Sequence, residues 1–168
     1  YLKTLGTNGS LGWGRPFASR PKALKVYVQY TPAAVTDIGK DIPSTVPVPA
    51  KGDMDCGIIY VAIVDESKKQ TNDVDAGKPK EWPVVIKTAD KNKDRKLFSK
   101  NDENVIAYGE RVFTEATGGM IEVEIPLEYF KTDVKASNII LTCSASKYGD
   151  YFTGGPSVMY VDDFELIY

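Results

Sequence analysis

Gly57-Ile58-Ile59-Tyr60-Val61-Ala62-Ile63-Val64 is the longest apolar run in the chain. It falls far short of the roughly 18–20 residues that a membrane-spanning helix needs, and it has the length of a buried strand. A strand over 58–65 without alternation requires cover on both faces, which predicts a central position. The neighbouring segments are half-buried strands instead. In 23–31, Leu24, Val26 and Val28 alternate with Lys25, Tyr27 and Gln29. In 120–125, Ile121, Val123 and Ile125 point inward between Glu122 and Glu124. Strands are also expected at 84–88, 105–113, 138–146 and 157–168, with Gly109 marking a bulge or a close backbone approach. Only Pro126-Leu-Glu-Tyr-Phe-Lys131 hints at a helical turn, since proline suits a first helical position. Prolines and glycines punctuate the spaces between strands. The pattern predicts an all-β antiparallel β-sandwich of about seven or eight strands, in one domain spanning residues 1–168.

The chain has 168 residues, enough to bury roughly two-thirds of its unfolded surface without a metal or disulfide staple. Lys and Arg (21) nearly balance Asp and Glu (23), so no global field favours nucleic acid or an anionic membrane. Histidine is absent, which excludes Ser–His–Asp and Cys–His nucleophile systems and the HExxH zinc site. Two cysteines, Cys56 and Cys143, are too few for a disulfide framework and read as separate thiols.

Aromatic residues remain: ten Tyr, six Phe and two Trp. Sugar rings offer an apolar C–H face for stacking and a hydroxyl rim for planar polar partners. Tyr148-Gly-Asp-Tyr-Phe152 supplies both kinds of group in one glycine-flanked loop, making Tyr148, Asp150 and Tyr151 candidates. Trp13 and Arg15 lie in a glycine-rich segment that reads as loop, and Trp82 precedes Pro83 at the start of a strand. The competing reading is that these rings cap the ends of the sandwich core. Residues 66–81 and 90–103 are polar, charged and long for loops, a composition that leans towards mobility.

Six blocks in order carry a resemblance: Leu11-Gly-Trp-Gly-Arg-Pro-Phe17, Arg20 to Tyr30, Gly57 to Ile63, Asn104 to Glu110, Ser146 to Gly155, and Met159 to Tyr168. Together they are similar to the putative carbohydrate metabolism domain of gut Bacteroidetes surface proteins. That resemblance implies a jelly-roll sandwich like those of carbohydrate-binding modules. It also implies an extracytoplasmic location, at the cell surface or secreted, often on a lipid-anchored polypeptide beside other domains. Family members begin earlier than Tyr1, so the first strands of the sandwich are expected to be missing from this chain. In such modules a final strand can give an aspartate to a structural calcium, and Asp162 is the matching position. Alternation with Phe164, Leu166 and Tyr168 turns Asp162 towards the core, where a carboxylate needs a partner.

Hydrolysis of a glycosidic bond needs two carboxyl groups across a shaped cleft. Glu122 and Glu124 face solvent on one strand, Asp53 and Asp55 flank Met54, and neither pair has an evident pocket. Asp90-Lys-Asn-Lys-Asp94 begins like a calcium-binding EF-hand loop but has Arg95 where that loop needs glycine. The expected function is non-catalytic binding of a glycan or polysaccharide. The alternatives are a scaffold contacting other domains of its own polypeptide, or a glycoside hydrolase.

Overall fold

The apolar run forms the middle strand of a five-stranded antiparallel sheet. The computed structural model describes residues 9–72, 80–89 and 92–168. Its strands are β1 (Gly9–Trp13), β2 (Arg15–Pro16), β3 (Ala23–Thr31), β4 (Val35–Ile38), β5 (Gly57–Val64), β6 (Gln70–Asn72), β7 (Lys80–Trp82), β8 (Val84–Thr88), β9 (Val105–Phe113), β10 (Ile121–Pro126), β11 (Glu128–Tyr129), β12 (Asn138–Ser144), β13 (Phe152–Gly154) and β14 (Val158–Ile167). The large sheet has the order β11-β9-β5-β12-β2, and a second sheet has the order β10-β3-β14. Three two-stranded ladders, β1-β8, β13-β4 and β6-β7, complete the molecule as described.

All eight residues of β5 are buried, because each face meets a different layer. Ile59, Val61 and Ile63 pack in the sandwich core with Leu24, Val26, Val28, Val123 and Ile125 of the three-stranded sheet. Ile58, Tyr60, Ala62 and Val64 form a second cluster with Val84, Val105 and Ile140. The seven expected strands are all present. The additional ones are short pieces of two to five residues, which periodicity is poorly suited to reveal.

Three local expectations are corrected. Residues 126–131 hold no helical turn. Glu128 and Tyr129 pair with Tyr108 and Ala107 of β9. The Leu127 amide donates to the Lys22 carbonyl and the Phe130 amide to that of Ile106, so neighbouring strands occupy the groups a helix would use. Ile121 is 39% exposed at the open end of β10, although Val123 and Ile125 are buried as expected. In β14 the register with β3 shifts between Asp162 and Glu165, and Asp163 adopts a φ of 49°. Met159 and Val161 before this bulge and Leu166 after it pack on the core. Asp162 therefore points outward and is exposed. A bulge residue resets a two-residue period, and unbroken alternation had assumed none.

Gly109 marks a close approach rather than a bulge. A Cβ there would lie 2.3 Å from the Pro126 carbonyl oxygen, and the β5–β9 irregularity falls at Ile63/Val64 instead. Cys56 and Cys143 are free thiols, as read from the sequence.

One edge of the sandwich is closed by Arg20. Its guanidinium donates to the Val134 carbonyl at 2.8 Å and the Lys131 carbonyl at 2.5 Å. It also lies 4.7 Å over the Tyr129 ring, whose hydroxyl donates to Pro21 at 2.8 Å. The planar fork serves both carbonyls at once, which an ammonium cannot reproduce. Arg20→Lys is expected to cost about 1–2 kcal/mol, seen as a lower urea midpoint with an unchanged slope.

Candidate functional site

The outer face of the large sheet is only partly covered. Side chains alternate across a strand, so Ile58 and Tyr60 of β5, Tyr108 and Glu110 of β9, and Thr142 and Ser144 of β12 share this face. Register sets Tyr60 between Thr142 and Glu110, with Ser144 opposite Ile58 and Tyr108 opposite Ala62. The β1-β8 ladder packs over part of the surface through Val84, Ile86 and Trp13. Beside it lies a cleft of about 490 Å³, floored by these sheet residues. Its walls are Trp13, Ile86, Leu97, Phe98 and the loop carrying Tyr148, Asp150 and Tyr151.

Phe98 organises the aromatic wall. Its ring stacks on Tyr60 at 5.0 Å and 11°, and lies 6.1 Å from Tyr108 and 6.2 Å from Trp13. Phe98 and Leu97 are the only large apolar residues of the charged segment 90–103. Phe98 seats that part of the segment against the sheet. The 66–81 segment likewise contributes β6 and β7, which pair as a ladder. Residues 73–79 and 90–91 lie outside the described residues.

The loop after β12 is held by its own backbone. The Lys147 amide donates to the Cys56 carbonyl at 2.7 Å, the Tyr151 amide to Tyr148 at 2.8 Å, and the Gly39 amide to Tyr151 at 2.7 Å. The Tyr148 ring rests against buried Phe152 at 5.3 Å, with the Lys147 ammonium 5.6 Å from its centroid. The Arg95 guanidinium sits 5.0 Å over Tyr151. Tyr148 and Tyr151 are thus half-buried.

Charged groups gather at the same end. The Tyr108 hydroxyl donates to Glu110 at 2.8 Å, and Lys147 approaches Glu110 to 3.9 Å. Burial, followed by the Glu110 hydrogen bond and charge, pushes the Tyr108 hydroxyl far above its ordinary range. Asp150 is accessible at the rim, yet the surrounding walls raise its carboxyl above the usual carboxylate range while Arg95 pulls the other way. Burial lifts Tyr60 and Tyr30 each to about 12 from an ordinary 10. Between these values the unfolded chain has lost both phenolic protons and the folded chain keeps them, so stability falls as pH rises. Urea midpoints are expected to drop steeply from pH 10 to 12, and less steeply in Tyr60→Phe.

Four sequence candidates meet in this cleft: Trp13, Tyr148, Asp150 and Tyr151. Trp13 reaches it from strand β1, paired with Val84, rather than from a loop. Arg15 and Trp82 line a neighbouring groove of about 540 Å³ between β1 and β12, which shares Trp13. Trp82 is a packing ring there: a Cβ on Gly12 would lie 2.2 Å from its indole carbons. Gly12→Ala is expected to cost about 1–3 kcal/mol by displacing that ring, measurable as a fall in thermal midpoint.

Asp162 belongs to the other sheet, where its carboxylate accepts the Asp163 amide at 2.9 Å. Among the described residues there is no group of three or more His, Cys, Asp or Glu side chains able to hold a metal ion.

Tyr60, Phe98, Tyr108, Glu110 and Lys147 are site residues that the sequence reading missed. Two signals were available: a tyrosine inside an otherwise aliphatic run, and a lone apolar pair inside a charged segment.

A solved structure of a putative glycoside hydrolase from Bacteroides thetaiotaomicron matches with a TM-score of 0.58 and 16% identity, over 94% of this chain and 41% of that one. Another, a putative glycoside hydrolase from Bacteroides vulgatus, matches with a TM-score of 0.59 and 22% identity, over 93% of this chain and 55% of that one. At such identities the likeness concerns the fold, and the chain spans about half the length of these structures or less. No curated protein matches. The family model described as the putative carbohydrate metabolism domain matches residues 3–167, and this chain belongs to that family.

Proposed function

We propose that the domain binds a glycan in the aromatic cleft, without covalent chemistry, as part of an extracytoplasmic carbohydrate-processing protein. The observation that carries this is the convergence of Trp13, Tyr148 and Tyr151 on one concavity that also presents Glu110, Asp150 and Lys147. The rings offer stacking surfaces for the C–H face of a sugar, and the charged rim orients its hydroxyls. The family and its carbohydrate connection support the ligand class. Nucleic acid is not favoured by a net charge of −2, and other domains of a longer polypeptide are the natural neighbours. No helix of the described residues is long and apolar enough to cross a membrane.

The test is a glycan array with the wild type and a Tyr148→Ala/Tyr151→Ala variant. Each ring is worth about 0.5–1.5 kcal/mol, so losing both should weaken binding roughly tenfold or more. Absence of binding across the array would contradict the reading. Equal binding by both proteins would move the site elsewhere.

A hydrolytic reading has one observation in its favour: Glu110 and Asp150 line the same cleft, and burial raises the Asp150 carboxyl above the usual carboxylate range. A carboxyl raised by its surroundings, with a second carboxylate in the same cleft, is what acid catalysis of hydrolysis requires. Reducing-sugar release from an array-positive glycan that disappears in Asp150→Asn would establish hydrolysis. The binding reading expects no release from either protein.

A further inference from the structure

This inference rests on the glycan reading and narrows its ligand. Among the described residues, the charged side chains lining the cleft are two cations, Lys100 and Lys147, and two carboxylates, Glu110 and Asp150. Arg95, beside them, already donates to the Ala89 carbonyl at 2.5 Å and covers the Tyr151 ring. A uronate or sulfated sugar that reached either lysine would also bring its anion towards the two carboxylates of the same lining, so the balanced charges offer it no net attraction. An amino sugar with a free ammonium would meet the lysines in the same way.

The Glu110–Lys147 pair is spaced for a different partner. At 3.9 Å the two groups attract each other but lie beyond hydrogen-bonding distance, so neither saturates the other. Glu110 has one oxygen engaged by the Tyr108 hydroxyl and keeps acceptor capacity. Lys147 has three N–H donors, and its backbone is fixed through Cys56. We propose that the cleft selects a neutral pyranose, with Glu110 and Lys147 gripping two vicinal hydroxyls. Glu110 accepts from one hydroxyl, Lys147 donates to its neighbour, and Tyr148 lies against the ring's C–H face.

The experiment is calorimetric titration of neutral oligosaccharides and their uronate counterparts of matched linkage, into wild type, Glu110→Gln, Lys147→Met and Tyr148→Ala/Tyr151→Ala. The wild type is expected to bind the neutral form at least tenfold more tightly. Glu110→Gln and Lys147→Met should each lose roughly tenfold for the neutral form, because a charge-assisted hydrogen bond goes with each. Melting curves of the variants establish that the fold survives, and two independent variants guard against one being misfolded. Uronate binding as tight as neutral binding, or neutral binding unchanged in both single variants, overturns this inference. In either case loss of affinity in the double tyrosine variant keeps the glycan reading standing. No heat with any sugar overturns both.

Discussion

Replacing Gly109 with alanine is expected to lower stability by about 3 kcal/mol, the upper end of what overpacking a well-filled interior usually costs. The added methyl would lie 2.3 Å from the Pro126 carbonyl oxygen and 3.2 Å from the Ile125 side chain. Both belong to β10, the strand that carries buried Val123 and Ile125 into the core. A backbone oxygen cannot rotate away as a long side chain can. Relief requires β10 to move off β9, opening the sandwich at its edge. The urea midpoint should fall with little change in slope, and amide exchange should accelerate first at β10 and β11. A loss below about 0.5 kcal/mol, typical of a harmless surface change, would mean that the two strands do not approach as described.

Asp55→Ala is the second large effect, expected at about 3–5 kcal/mol from two charge-assisted hydrogen bonds. Asp55 is 1% exposed, and its carboxylate accepts the Cys56 amide at 2.7 Å and the Gly154 amide at 2.8 Å. Removing it strands two backbone donors away from water. The loss should extend beyond stability. Cys56 presents the carbonyl that anchors Lys147, and Gly154 ends the strand that follows the cleft loop. Ligand affinity should therefore fall together with the thermal midpoint, while Asp55→Asn, which keeps one acceptor, should lose less of both. Unchanged affinity in a folded Asp55→Ala would show that the loop is held without this anchor.

The strands were legible wherever burial imposes a regular period over several residues. Val84–Thr88 and Val105–Phe113 have the observed bounds, and the apolar run announced its central place. Legibility failed where one residue breaks the period, as at Asp163, or where a strand is too short to show one, as at Glu128–Tyr129. For the site, the sequence identified the ring-bearing loop because its glycines and polar neighbours are contiguous. It could not identify the floor. Tyr60, Tyr108, Glu110 and Thr142 become neighbours only through the register of three strands, and each sits among residues that make ordinary core or surface. Phe98 was obscured by the charge around it, since composition suggested solvent and one ring's packing decided otherwise. Trp82 shows the converse: its ring packs against Gly12 beside a neighbouring groove, outside the cleft that collects the other rings.

The most direct test of the central claim is backbone and indole chemical-shift mapping of the labelled domain, titrated with an array-positive neutral glycan. The cleft account predicts that the largest shifts fall on Thr142, Ser144 and the 147–151 loop, together with the Trp13 indole. Largest shifts at Arg15 and Trp82, or around Tyr160 and Asp162 on the other sheet, would contradict it.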